Sequence, residues 1–166
     1  RVDFDDIPEE DQELGSPGLR LRDMEAISNL LKGCQISPVL KKDDDMVAGR
    51  QRGKFPLLGV VPGYLNQFPG IRVKGRWISD VDEFERSKVC VLGSQAASEL
   101  FRGGNPIGLN LKVAGQWFKV IGIVKPHEID SDTSEDMGIR DLNNDVYIPY
   151  STFSNRISHY QNPGKV

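Results

Sequence analysis

The pattern of apolar and polar positions changes period along this chain, and each change marks an element. Leu21, Met24, Ile27, Leu30 and Leu31 recur at three- and four-residue spacing and predict one apolar helical face, which Gly33 ends. Beyond Gly33 the period drops to two. This predicts short strands at 35–40, 46–52 and 55–61, divided by the charged run 41–45 and by Gly53. Residues 62–70 read as a short helical turn between prolines, and 71–78 as a strand running into an acidic loop at 80–83. The clearest unit follows. It is a buried strand at 88–92, a tight turn at Gly93, Ser94 as helix N-cap, and Ala97, Leu100 and Phe101 as the inward face of a short helix. As a buried aromatic, Phe101 is expected to cost about 3–5 kcal/mol when cut to alanine.

The runs 109–113 and 117–124 predict a hairpin whose three-residue loop, Ala114-Gly115-Gln116, carries Gly where positive φ is needed. Residues 125–144 are acidic and nearly free of large apolar side chains, which predicts a mobile surface loop. A strand at 145–149 and a last short helix, capped by Ser151 and reaching Ile157, close the pattern. At the other end, residues 3–13 hold seven acidic side chains and read as an extended lead-in. The expected class is α+β.

Composition narrows the function classes. The 17 glycines and 10 prolines among 166 residues favour many short strands joined by turns over a helical bundle. A net charge of −3 offers no basic face for phosphates, so nucleic acid is set aside as a partner. No stretch approaches the roughly 20 apolar residues of a membrane span, and the opening residues lack the basic and apolar regions of a signal peptide. Arg50, Arg52 and Lys54 alternate, as do Arg72, Lys74 and Arg76, which predicts solvated strand faces.

Candidate chemistry fails on spacing. Gly93-Ser94 at a strand-to-helix turn would be a nucleophile elbow only with Gly at 92 and 96, where Leu92 and Ala96 stand. His127-Glu128 lacks a second histidine at 131, and the other histidine, His159, is distant. Asp130, Asp132 and Ser134 match the first ligand positions of a calcium loop, but Glu135 occupies its obligatory Gly and Asp141 its preferred Glu. Cys34 and Cys90 have no metal or redox spacing; a buried thiol at Cys90 and a Cys34–Cys90 bridge both stay open. Hence no residue is assigned a catalytic, cofactor-binding or metal-binding role, no cofactor is expected, and the chain does not read as an enzyme.

One order of motifs does carry information. Asp23 and Ala26-Ile27 lead to Ser37-Pro38. Then come Leu58-Gly59-Val60-Val61-Pro62-Gly63-Tyr64, Val73-Lys74-Gly75-Arg76-Trp77-Ile78, Asp82 and Val89-Cys90-Val91-Leu92-Gly93. Ala97, Leu100-Phe101, Pro106-Ile107-Gly108, Phe118–Ile123 and Val146-Tyr147-Ile148-Pro149 complete it. Over 19–157 this series resembles the MacB-like periplasmic core domain of ABC-transporter permeases, a family that also resembles lipoprotein-releasing and FtsX-type ectodomains.

The resemblance implies a β-rich part (41–144) inserted in a partial porter-like α/β part (1–40 and 145–166). It implies an extracytoplasmic domain on a bacterial inner membrane, between two membrane helices of a paired or homodimeric permease. It also implies a cytoplasmic ABC ATPase whose motions the domain relays, and contact with a periplasmic adaptor or lipoprotein carrier. Two departures are Arg20, where many members have a capping Thr, and the end at Val166, where a further strand, helix and strand are expected. The second would leave a sheet edge at 145–149 open to pairing. The alternative reading is a soluble or tethered ligand- or partner-binding module without a transport role.

Overall fold

A computed structural model describes residues 29–30, 37–68, 70–125 and 142–157. The chain divides into two compact units, 1–36 and 37–166. In the first, Asn29 and Leu30 are helical, within the predicted helix. The rest of that helix, the acidic lead-in, Cys34 and most of the 125–144 segment lie outside the described residues.

The second unit begins with a hairpin of two ten-residue strands. Strands β1 (Val39–Ala48) and β2 (Gln51–Val60) pair antiparallel from Val39↔Val60 to Ala48↔Gln51. The charged run 41–45 and Gly53 therefore lie inside strands and do not divide them. Alternation explains why: Lys41, Asp43 and Asp45 point to solvent, while Lys42 and Asp44 share the other face and neutralise each other at 3.2 Å. Gly53 leaves room for the Phe55 ring, which a Cβ there would meet at 2.5 Å.

Five more strands complete one sheet: β3 (Val73–Gly75), β4 (Val89–Leu92), β5 (Asn110–Val113), β6 (Gln116–Val124) and β7 (Val146–Pro149). Because β5 pairs with both β1 and β6, the strands β6-β4-β7-β2-β1-β5 close into a six-stranded ring, with β3 extending it beside β6. Ring closure removes edges. β7 runs between β2 and β4, so the open edge expected at 145–149 is absent. All four of its residues are buried, as an interior strand requires. The ring takes β7, from 145–166, together with strands from 41–144.

Two cores follow from the pleat. Met46, Leu57, Leu92, Leu111, Phe118, Val146 and Ile148, drawn from all six ring strands, form the inner one. Helix α2 (Ser94–Phe101) adds Ala96, Ala97 and Leu100 to it. The intervening Leu58, Val91 and Tyr147 form an outer core with Tyr64 and Ile78. Opposite Cys90–Val91 a bulge in β6 shifts pairing from Val120 to Gly122, so inward residues change parity there. Phe101 is only half-buried at the rim of the inner core, so the full cost expected of its truncation belongs to residues such as Leu100 and Phe118.

The β5–β6 loop is tighter than predicted. Val113 faces Gln116, so only Ala114 and Gly115 turn the chain, at φ 48° and 75°. Two left-handed residues make a type I′ turn, which favours Asn-Gly. Alanine pays for its Cβ there. Ala114→Asn is expected to stabilise the domain by about 0.5–1 kcal/mol. A urea titration with a lowered midpoint would show that the turn is read wrongly.

Candidate interaction surface

The residues singled out as chemistry do not assemble. Ser94 is not the N-cap: Gly93 holds that position, and the Ser94 hydroxyl donates to Asn143 Oδ1 at 3.0 Å. The first amides of α2 are met by backbone instead. Gln95 N and Ala96 N donate to the Asn143 carbonyl at 2.9 and 3.3 Å, and Gly93 N to that of Asp145 at 2.7 Å. Cys90 is a free, fully buried thiol whose pKa is pushed up by loss of water. His127, Glu128, Asp130, Asp132, Ser134, Glu135, Asp141 and His159 lie outside the described residues. Among the described residues, no group of three His, Cys, Asp or Glu side chains could hold a metal ion, and no helix is long and apolar enough to cross a membrane.

The segment read as an acidic loop is instead a helix, α1 (Asp80–Glu85), started by a capping box: Ser79 Oγ accepts from Asp82 N, and Asp82 Oδ2 accepts from Ser79 N at 2.9 Å. Asp82 is buried and also takes a forked contact from Arg76, Nη1 to Oδ2 at 2.6 Å and Nη2 to Oδ1 at 3.1 Å. Arg76 lies just past Gly75 and stays half-exposed, as the solvated face predicts, but its guanidinium is engaged by Asp82; its amide donates to Ile121 O on β6, which ties α1 to the sheet. From the other side, Ser151 N donates to Glu83 Oε1 (2.9 Å) and Ser151 Oγ to Glu83 O (2.6 Å). Ser151 is therefore a strut for α1 and not a cap of the last helical segment, which starts as α3 (Tyr150–Thr152) with Pro149 as N-cap and continues as a π-helical turn to Ile157, where the pattern ended it.

Clamped in this way, α1 presents Val81 and Phe84, one helical turn apart, at 61% and 88% exposure. A large aromatic held out in water by a fixed helix is costly unless something covers it, which makes this face the candidate contact surface. Sequence reading missed it. The signal was Ser79 followed three residues later by Asp82, a capping pattern that turns the Val81/Phe84 spacing into one face.

The Arg76 guanidinium holds the Asp82 carboxyl well below the usual carboxylate range, at about 2, against the opposing effect of burial. A folded-state pKa below the unfolded one stabilises at pH above the unfolded value and is lost as pH falls through about 2. Asp82→Ala is expected to cost about 1–2 kcal/mol at pH 7, after discounting for the half-exposed Arg76. The deficit should shrink towards pH 2; a deficit independent of pH in denaturant titrations would assign the loss to packing instead.

Comparison with known proteins gives a consistent picture. The family profile described as MacB-like periplasmic core domain matches residues 5–164. A macrolide export ATP-binding/permease protein MacB from Syntrophobacter fumaroxidans is 34% identical over 108 residues, covering 63% of this chain and 15% of that protein. The pyoverdine export ATP-binding/permease protein PvdT of Pseudomonas entomophila is 29% identical over 148 residues, 86% of this chain and 21% of its own. Thus the chain spans only a small part of these relatives. The crystal structure of the periplasmic region of MacB from Actinobacillus actinomycetemcomitans superposes with a TM-score of 0.66 at 25% identity, over 84% of this chain and 59% of that one. The extracellular domain of the transporter YknZ from Gram-positive bacteria shares the fold, with a TM-score of 0.69 at 17% identity over 92% and 74%.

Proposed function

The chain belongs to the family of MacB-like periplasmic core domains, and from that premise we propose that it relays ATP-driven movement across a bacterial inner membrane and meets substrate or partner proteins on the far side. In this reading the ATP is hydrolysed by a cytoplasmic ATPase domain or subunit, and two permeases pair in the membrane. The export functions named for the relatives support a role in efflux. The observation that carries the reading is mechanical. The six strands close into a ring, and α1 is hydrogen-bonded from two sides, through Arg76 and through Ser151, an arrangement that supports movement of the barrel and the Val81/Phe84 face as one body.

The test uses the intact parent protein. Membrane fractionation should place it in the inner membrane, with apolar spans of about 20 residues flanking this segment. Phe84→Asp should then abolish export while shifting the domain's stability by less than about 0.5 kcal/mol, because an exposed side chain contributes little to folding. Undiminished export by a Phe84→Asp, Val81→Asp double variant would remove α1 as the contact. A parent that fractionates as soluble would remove the permease reading and leave the binding module in its place.

A further inference from the structure

At the end of the ring where the β1–β2 turn, the C-terminus of α2 and the start of β5 meet, the surface opens into a hollow of about 380 Å³. Its wall and floor are Ala48, Leu100, Phe101 and Leu109, with Gln51 and Arg102 as the polar side. Leu109 is 51% exposed and Phe101 half-buried, so these two present apolar surface to water, while Ala48 and Leu100 behind them belong to the buried inner core.

Arg102, the left-handed C-cap of α2, stands exposed at its rim. With the Gln51 amide oriented so that its oxygen faces the guanidinium, that oxygen accepts from both Nε and Nη2 at 2.9 Å. A guanidinium has five N–H donors, so two spent on a neutral amide leave three that face solvent and are open to an anion. Among the described residues the ion pairs are Lys42–Asp44 and Arg76–Asp82, and Arg102 belongs to neither. A positioned, unpaired cation beside an exposed apolar floor is complementary to one chemistry: an anionic head on an apolar body.

We propose that this hollow is a binding site for a small amphipathic anion, its carboxylate on the Arg102 fork and its apolar body against Leu100, Phe101 and Leu109. At about 30 Å³ for each water-sized group, the volume accommodates roughly a dozen heavy atoms, the size of a medium-chain fatty acid or an aryl carboxylate. Leu109 anchors the body and Gln51 keeps the fork from folding away. The site is separate from α1 and does not depend on a role in transport.

The experiment is a titration of the 166-residue chain with decanoate below its micelle concentration, followed by backbone and methyl NMR. Saturable shifts centred on Leu100, Phe101, Arg102 and Leu109 are expected. Arg102→Gln should weaken binding about tenfold, the worth of a charge-assisted hydrogen bond, and Arg102→Lys should restore part of it. Leu109→Ser should weaken decanoate without touching the charge, and decanol should bind more weakly than decanoate. Three results would overturn the proposal: no saturable shift, equal affinity in Arg102→Gln, or shifts centred on Val81 and Phe84. A response to anionic phosphatidylglycerol vesicles but not to monomeric decanoate would overturn it as well, in favour of a membrane surface.

Discussion

Phe118→Ala is expected to destabilise the domain by about 3–5 kcal/mol, the range for truncating a fully buried aromatic. Phe118 is 0% exposed, points into the ring from β6, faces Leu111 across the β5–β6 pair, and is among the largest wholly buried side chains. The loss has two parts, the transfer free energy of the ring and the cavity it leaves. A closed six-stranded wall has little freedom to collapse into that cavity, which places the expected cost in the upper part of the range. Denaturant titration checks it, and a change below about 1 kcal/mol would mean that the ring core is looser than its burial implies. The same substitution at half-buried Phe101 should cost less.

The second large effect is expected at Gly93, for a reason that its backbone angles hide. Its φ is −65°, a value open to any residue, so the glycine is not there to make a left-handed turn. A Cβ would fall 2.2 Å from the Asn143 carbonyl oxygen and 2.7 Å from that of Leu142. Those atoms are backbone and cannot swing aside. The Asn143 carbonyl is also the acceptor for the first amides of α2. Gly93→Ala must therefore either push the 142–145 segment off the helix or tilt the helix, and either movement breaks hydrogen bonds that have no substitute. A cost of about 3 kcal/mol or more is expected, beyond ordinary overpacking because capping bonds are lost with it. Retained stability, together with unchanged amide protection at Gln95 and Ala96, would show that the contact relaxes cheaply.

Local pattern made much of this protein legible. The strand at 88–92, the helix after it and the hairpin ending near Val124 appear where the period of apolar residues placed them, and the helical turn read between prolines at 62–70 forms over 62–67. Each is a short-range consequence of one face needing burial, and that need is written in consecutive residues. The α+β class and the family resemblance, now supported by a match over residues 5–164, rest on the same information.

Where reading by pattern went wrong, the deciding partner was far away in sequence. The run 41–45 looked like a break because it is charged, yet β2 pairs with it along its whole length and Lys42 and Asp44 cancel on one side. The first amides of α2 are capped from residue 143, some 50 positions away, which left Ser94 free to bond Asn143 instead of serving as the cap. The Asp80–Glu85 helix has a local signal in its Ser79–Asp82 capping box, but what braces it is Arg76 just past β3, held to Ile121 on β6, and Ser151 on α3.

The sequence by itself determined which residues must be buried and with what period, and through the order of its motifs the family. Only the tertiary structure decided that six strands close into a ring, that β7 is interior, that Phe84 stands in water and that Arg102, in no ion pair among the described residues, lines a partly apolar hollow. The physical reason is range. Hydrophobic periodicity acts between neighbours a few residues apart, whereas ring closure, backbone capping across elements and the placement of a lone charge depend on pairings between segments whose separation along the chain no local pattern records.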